Sequence, residues 1–271
     1  MSLGDTDRLL VLSLTARAGD GPAAGAQAEL PPTDAALDGL DRARAAAGLA
    51  PAQVAVVIDG ADAAAEVRAR GFAVVARAEI PAPGPVVLEH EDGFGRELEE
   101  LDPTLTSIRV RWNPADDADR KKEQALVLTR LGAWLHETER RLLVEVVVPP
   151  TDHDLAEVDG DHSRFVTELR PALTLEAIRE IRELGTEPDI WGIETGVAGD
   201  PDLAELITDA GRDQVAALVL ADPGVAPSPL EGAVRGLILD PRVWATGAAT
   251  VDAVAAALTP YAELHATDPS R

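Results

Sequence analysis

Eight short apolar runs, rich in β-branched residues, alternate along the chain with longer segments of helical periodicity. The runs lie at 8–14, 53–59, 72–77, 107–112, 142–148, 189–194, 214–220 and 234–240. Helices are predicted between them at 33–48, 61–71, 119–140, 173–185, 200–211 and 250–264. Strands that alternate with helices form parallel sheets, and eight such units in about 250 residues favour a closed (β/α)8 TIM barrel. An open, doubly wound sheet is the alternative.

The sequence lacks the common nucleotide-binding motifs of α/β proteins. The first strand is followed by LTARAGDGPAAGAQAEL, where no helix opens on the glycines, and no P-loop occurs anywhere. Internal repeats and a dividing Pro- or Gly-rich linker are also missing. We therefore predict a single domain over residues 1–271 and no cofactor. Residues 1–6 are expected to be flexible or partly derived from cloning.

The charge composition restricts the partners. With 48 acidic against 24 basic residues, the formal net charge is −24, and such a protein repels phosphate backbones and anionic membrane surfaces. No apolar run approaches the length of a membrane span, and cysteine is absent. We expect a cytoplasmic protein that binds neither nucleic acid nor membrane.

The C-terminal ends of the strands, where a (β/α)8 barrel builds its active site, carry both signs of charge. In chain order this polar ring contains Arg17, Asp59, Arg77, Glu79, Arg111, Asn113, Glu145, Glu194, Asp222, Asp240 and Arg242. Strand ends are also polar simply because they meet water. From the ring we select Glu145 and Glu194 as catalytic candidates, and we select as substrate-binding candidates Arg17, Asp59, Arg111, Asn113 and Arg242.

Alternation along the strands predicts which side chains face the barrel interior. Glu145 lies inside LLVEVVV, where an unpaired carboxylate would be costly, so it must face the mouth of the barrel or pair with a cation. Arg109 and Arg111 share one face of SIRVRW, and Arg111 is the expected partner of Glu145 or an anchor for an anion. Trp112 and Trp191 alternate with site-facing residues, so they are expected to pack between barrel and helices.

Several longer segments then resemble a known family. IRVRWNPADD, LLVEVVVPPT and GDHSRFVTELRPALTLEAIREIRELGTEPDIWGIE are similar, in order and spacing, to the aldolase-like C-terminal domain of bacterial 5-dehydro-2-deoxygluconokinase, which acts in inositol catabolism. That domain resembles the class I tagatose-bisphosphate aldolases. The resemblance covers nearly the whole chain and implies a TIM barrel with a Schiff-base lysine on the sixth strand and an acid–base glutamate on the fifth.

The chain departs from that family at the nucleophile. The family's W-K-[IL]-E on the sixth strand reads Trp191-Gly192-Ile193-Glu194, so the lysine position is Gly192. Two further family lysines align with Ser107 and Ile80, and the phosphate-binding G-R-T aligns with 240–242, which reads Asp-Pro-Arg. The resemblance therefore implies no classical Schiff-base chemistry, although Gly192→Lys is expected to restore imine formation if the rest of the pocket is intact.

Other residues offer little replacement chemistry. The two lysines of the chain, Lys121 and Lys122, follow acidic residues at a helix start, which favour the charged ammonium and a solvated helix face. His153 and His162 lie among aspartates in one stretch, where an acidic surface loop is preferred over a metal site. We expect no metal.

Two hypotheses follow. The first is an aldolase-superfamily barrel, a lyase-like or isomerase-type enzyme, that acts on a sugar or keto-sugar derivative through Glu145 and Glu194. The second is a catalytically degenerate barrel that binds a metabolite or a partner. Possible partners are a second copy of the chain or a sugar kinase.

Overall fold

The computed structural model describes residues 9–15, 30–80, 84–89, 93–198, 200–208, 214–221, 233–245 and 248–266. In this part of the chain, eight parallel strands close into one barrel in sequence order, and the eighth strand pairs with the first. They are β1 (Leu9–Ser13), β2 (Val54–Ile58), β3 (Ala73–Arg77), β4 (Leu105–Arg111), β5 (Leu142–Val147), β6 (Ile190–Glu194), β7 (Val215–Leu220) and β8 (Val234–Leu239). The predicted (β/α)8 barrel is confirmed, and the open sheet is excluded.

Helices surround the barrel. They are α1 (Thr33–Ala46), α2 (Ala61–Ala69), α3 (Phe94–Leu101), α4 (Ala118–Glu137), α5 (Asp152–Glu157), α6 (His162–Arg164), α7 (Arg170–Glu183), α8 (Pro201–Thr208), α9 (Pro241–Trp244) and α10 (Val251–Ala266). A 3₁₀ turn (Pro51–Gln53) precedes β2, and a π-helical segment (Phe165–Leu169) joins α6 to α7. None of the helices described is both long and apolar enough to cross a bilayer.

The segment from α5 to the π-helix was not predicted, because its acidic sequence has few apolar residues at helical spacing. Helix α5 instead depends on its first turn. The Thr151 hydroxyl accepts a hydrogen bond from the Asp154 amide at 3.1 Å, and the Asp154 carboxylate accepts one from the Thr151 amide at 2.8 Å. This capping box begins the helix without an apolar stripe.

The strand side chains alternate between two apolar layers. The barrel interior contains Leu9, Val11, Ala55, Val57, Ala73, Val75, Leu105, Leu143, Ile190, Ala217, Val219 and Ile238. The alternate positions pack with the helices, and Trp112 and Trp191 belong to this outer layer. Their indole nitrogens donate to Glu180 at 2.7 Å and to Gln214 at 2.9 Å. The prediction that both tryptophans pack outside the barrel is confirmed.

The barrel closes by pairing of β1 with β8. Leu9 and Val11 of β1 lie in register with Gly236 and Ile238 of β8. Outside this seam α1 packs on α10. Gly39 allows their close approach, because a Cβ atom there would lie 2.5 Å from the Cβ of Val254.

Candidate active site at the C-terminal end of the barrel

Arg109 and Glu145 form an ion pair inside the barrel. The register places Arg109 of β4 directly beside Glu145 of β5, and both follow the interior face of their strands. The arginine Nε and Nη2 donate to Glu145 Oε2 at 3.4 and 3.2 Å. The two side chains are only 10% and 2% exposed. Glu145 therefore pairs with a cation, as predicted, but Arg109 fills the role that the sequence analysis gave to Arg111, because register decides which arginine lies alongside.

Gly192 lies next to Glu145 on the neighbouring strand. It is the register partner of Glu145 on β6. A Cβ atom on Gly192 would lie 2.8 Å from Glu145 Cγ, 3.2 Å from its Cα and 3.3 Å from its Cβ. Real Cβ atoms essentially never approach another carbon to 2.8 Å, and the other two distances are also tighter than most real contacts. Glu145 thus occupies the space that a side chain at position 192 would need, and a lysine there requires Glu145 to move.

Asp240 extends the charged cluster toward β8. Its carboxylate is 2% exposed and lies 4.0 Å from Arg109 Nη2. Arg242 donates to it from Nε at 2.9 Å and from Nη2 at 3.3 Å, and its backbone amide donates at 3.0 Å as the first amide bond of α9. Arg242 therefore neutralises Asp240. Glu145, Arg109, Asp240 and Arg242 form a line of alternating charge, which we call the interior ion network.

A second charged group lies at the end of β6. Glu194 accepts hydrogen bonds from Arg170 Nη1 at 2.9 Å and from the Val148 amide at 3.2 Å. Arg111 is close enough for Glu194 to act on its charge, and its pKa lies below the ordinary value. Burial is the main cause and Arg120 adds to it, while Glu194 and Asp116 act in the opposite direction. Arginine stays cationic after such a shift, so Glu194 interacts with two cations, Arg170 by a hydrogen bond and Arg111 through its charge.

Sequence analysis missed Arg170. It is the first residue of α7 and directly follows the π-helical segment, a distortion that often marks functional positions. The only sequence signal is the ELRP motif, in which the proline marks a helix start.

Asp59 meets Arg77 at the ends of β2 and β3. Arg77 Nη2 donates to both carboxylate oxygens, at 3.0 and 2.9 Å. The Arg77 side chain is 8% exposed, whereas Asp59 is 57% exposed. This pair belongs to the same end of the barrel as the interior ion network, on the opposite arc of strands from β6.

Asn113 contacts neighbouring loops through its whole amide. Its nitrogen donates to the Pro149 carbonyl at 2.9 Å and to Asp154 Oδ2 at 2.8 Å, and its oxygen accepts from the Ala115 amide at 2.9 Å. It is fully buried. The structure therefore places Asn113 as a brace between the loops after β4 and β5.

The same contacts act on Asp154. Its burial pushes the pKa up, but hydrogen bonds from the Thr151 amide and hydroxyl and from Asn113 outweigh it, so the pKa lies below the ordinary value. Arg17 and Asp222 lie outside the described residues.

Both lysines lie on α4, outside the barrel. Lys121 Nζ donates to Glu180 at 2.9 and 3.0 Å and to the Pro114 carbonyl at 2.6 Å. Lys122 is exposed beside Asp119 at 3.3 Å. Neither lysine reaches the interior ion network, and the chain has no other.

The histidines do not gather metal ligands in the described part of the chain. His153 is 79% exposed on α5 and lies 3.1 Å from Glu157. Within the residues that the structure describes, His, Asp and Glu side chains nowhere form a group of three suited to a metal ion.

Solved structures share the fold. Cgl0159 from Corynebacterium glutamicum matches with a TM-score of 0.56 at 14% identity over 96% of this chain and 88% of that one. A 2,3-dimethylmalate lyase of the PEP mutase/isocitrate lyase superfamily (TM-score 0.45, 12% identity, covering 87% and 76%) and a sugar phosphate isomerase/epimerase from Parabacteroides distasonis (0.45, 13%, 95% and 96%) are also similar. At 14% identity the likeness to Cgl0159 concerns the barrel fold alone.

The sequence itself matches a family model. Among curated proteins none matches the chain. The model described as "Uncharacterized protein conserved in bacteria (DUF2090)" matches residues 35–219, which is more than half of the chain. The chain therefore belongs to the DUF2090 family.

Proposed function

We propose that this barrel binds a sugar or keto-sugar derivative at its C-terminal end and transfers protons on it through Glu145 and Glu194, without an imine intermediate. The observation that carries the proposal is the ion pair of Glu145 and Arg109, two charged side chains held inside the barrel at the level of the lost lysine position.

Stability alone does not account for this pair. A buried ion pair loses so much hydration that well-packed apolar side chains of similar volume are often as stable or more stable. The interior layer next to the pair is apolar, so leucine or methionine would fit the surrounding chemistry. A charged pair in this position is therefore better explained by a functional role than by a contribution to stability.

The proposed chemistry is proton abstraction next to a carbonyl group. Glu145, which its ion pair keeps as a carboxylate, takes the proton from the carbon. The electron pair of that C–H bond moves to the carbonyl oxygen, and the resulting negative charge is stabilised by Arg111. Glu194, held by Arg170 and the Val148 amide, gives or takes a proton on the opposite side of the ligand. Return of the proton to the neighbouring carbon, after Glu194 has moved the hydroxyl proton between the two oxygens, gives an isomerase. A lyase follows instead when the base takes the proton of the β-hydroxyl group, because its O–H electrons then form a new carbonyl as the C–C bond breaks, and the resulting enolate takes up a proton.

The resemblance to the aldolase-like domain of 5-dehydro-2-deoxygluconokinase supports a carbohydrate derivative as ligand, and inositol catabolism as the pathway. It also supports a sugar kinase, or a second copy of the chain, as partner. Asp59 and Arg242 are proposed ligand contacts from the same end of the barrel. Arg17 is a further proposed contact on the basis of the sequence alone, in which it follows β1.

A non-catalytic binding barrel is the second candidate. The close contact of Glu145 with Gly192 favours it, because this contact fills the volume in which the family's lysine would act. The first candidate requires the Glu145 carboxylate to reach a ligand, and the second does not.

The two candidates are separated by deuterium exchange. The protein is incubated in D2O with keto-sugar probes, fructose 6-phosphate and 5-ketogluconate, and exchange next to the carbonyl is followed by NMR. The first candidate predicts exchange that Glu145→Gln abolishes and that Glu157→Gln, a change on the exposed face of α5, leaves intact. Binding without exchange supports the second candidate. Binding of no carbohydrate probe would overturn both.

A further inference from the structure

We propose that Arg77 is the binding residue for an oxyanion group, a phosphate monoester or a carboxylate, on the ligand of this barrel. This inference rests on the proposed carbohydrate site and specifies which part of the ligand is charged. It assigns a role to an arginine that was not among the selected binding candidates.

The hydrogen bonding of Arg77 is incomplete. Only Nη2 is bonded, to the two oxygens of Asp59, while Nε and Nη1 are buried and have no hydrogen-bond partner. The whole side chain is 92% buried, since 8% of it is exposed. A buried donor left unpaired costs about 1–3 kcal/mol, and more when it is charged. Such an arrangement is retained when a ligand completes it.

Two other arginines with aspartate partners show the contrast. Arg44 bonds through Nε and Nη2 to Asp41 and through Nη1 to the Leu49 carbonyl. Arg70 bonds through Nε and Nη2 to Asp38 and through Nη1 to the Glu66 carbonyl. Arg44 lies in α1 and Arg70 directly follows α2, and both use all three nitrogens. Arg77, at the mouth of the barrel, uses one.

A purely structural role for Arg77 explains little. Asp59 is 57% exposed, so water would solvate its carboxylate without the arginine. The pair therefore adds little to stability, while the unpaired donors of Arg77 subtract from it. Besides its proposed contact with the ligand, Asp59 positions Arg77, because its contact with Nη2 fixes the plane of the guanidinium and leaves Nε and Nη1 for the ligand.

The location of Arg77 fits one end of a keto-sugar derivative. Arg77 is the last residue of β3, on the face of the strand that is turned to the barrel interior. Its register partner Ser107 lies on the same face of β4 as Arg109, two residues before it. The carbonyl end of the ligand would lie over Glu145 on β5, and the oxyanion end would reach back to β3. Guanidinium groups bind phosphate and carboxylate well because their N–H groups match the geometry of these anions.

The test uses calorimetric titration of the whole protein with glucose 6-phosphate, gluconate, glucose and inorganic phosphate. Arg77→Gln is expected to weaken the anionic sugars by roughly tenfold to hundredfold and to leave glucose unchanged. Arg77→Lys keeps the charge, so its affinity for the anionic sugars should lie between those of wild type and Arg77→Gln. Arg70→Gln, the matched control with a bonded aspartate on the outer helices, should bind as the wild type does. Whichever anionic sugar loses affinity identifies phosphate or carboxylate as the recognised group.

The outcomes separate this inference from the proposed function. The role of Arg77 is overturned if wild type and Arg77→Gln bind the anionic sugars equally well. It is also overturned if Arg77→Gln loses as much affinity for glucose as for the anionic sugars. In both cases the proposed carbohydrate site is unaffected. Failure of wild type to bind any sugar overturns both. Urea unfolding checks folding: without ligand, Arg77→Gln should be as stable as wild type or more stable, and a large loss of stability would make Arg77 a structural residue.

Discussion

The Cγ atom of Glu145 lies 2.8 Å from where a Cβ atom of Gly192 would be. A side chain at position 192 and the Glu145 side chain in its present position are therefore mutually exclusive. A lysine at position 192 meets the glutamate at its first side-chain carbon, so imine formation there requires Glu145 to move as well.

Gly192→Ala tests this contact. We expect a loss of about 1–3 kcal/mol in the free energy of unfolding, the usual cost of overpacking a core. In a Glu145→Ala background the same change should cost less, because the Cγ atom is gone. Urea unfolding of the four proteins gives the coupling energy. Gly84→Ala, at a glycine with open space around it, is the control. Full additivity of the two changes would contradict the contact.

Borohydride trapping tests the absence of imine chemistry. Lys121 is held by Glu180 and the Pro114 carbonyl, and Lys122 is exposed beside Asp119, so neither meets a ligand in the barrel. We expect mass spectrometry to find no covalent adduct after reduction in the presence of fructose 6-phosphate. The Lys121→Arg/Lys122→Arg variant should bind the sugar as wild type does. A reduced adduct on either lysine would contradict the assignment.

Arg109→Met tests the burial of the interior ion network. Removal of Arg109 takes a cation away from the buried Glu145 carboxylate, and we expect a loss of about 3–5 kcal/mol in the free energy of unfolding. Adding Glu145→Leu should recover most of it, because the buried carboxylate is then gone as well. Arg164→Met, which breaks an exposed pair with Glu168, should cost less than about 1 kcal/mol. If both arginine variants lose the same stability, the network is more solvated than described.

Asp154→Asn tests the brace at Asn113. The pKa of Asp154 is lowered in the folded protein, so the unfolded chain binds the proton more readily. Its contribution to stability is therefore present above the ordinary aspartate pKa of about 4 and is lost as pH falls through the lower folded value. We expect Asp154→Asn to cost about 1–3 kcal/mol at neutral pH and clearly less at acid pH. Asp152→Asn, at an exposed residue of the same helix, is the control and should change the free energy of unfolding by less than about 0.5 kcal/mol at neutral pH.

The sequence predicted the strands well and the contacts between them poorly. Every strand was located within about two residues, because buried parallel strands are continuous apolar runs that differ clearly from helical segments. The inward position of Glu145 also follows from alternation. Its partner does not: choosing Arg109 over Arg111 requires the register between β4 and β5. Arg170, which bonds to Glu194, follows a π-helical segment that the spacing of apolar residues in the sequence does not predict.

The seam between β1 and β8 has a consequence for synthesis of the chain. The edge of β1 receives its hydrogen-bond partners only when the last strand has emerged, and α1 finds α10 later still. Until then a growing chain presents an open sheet with an unpaired apolar edge, the kind of surface through which chains aggregate. A ribosome that stalls before Val234 would therefore leave a fragment that needs a chaperone, even though most of its strands are already made.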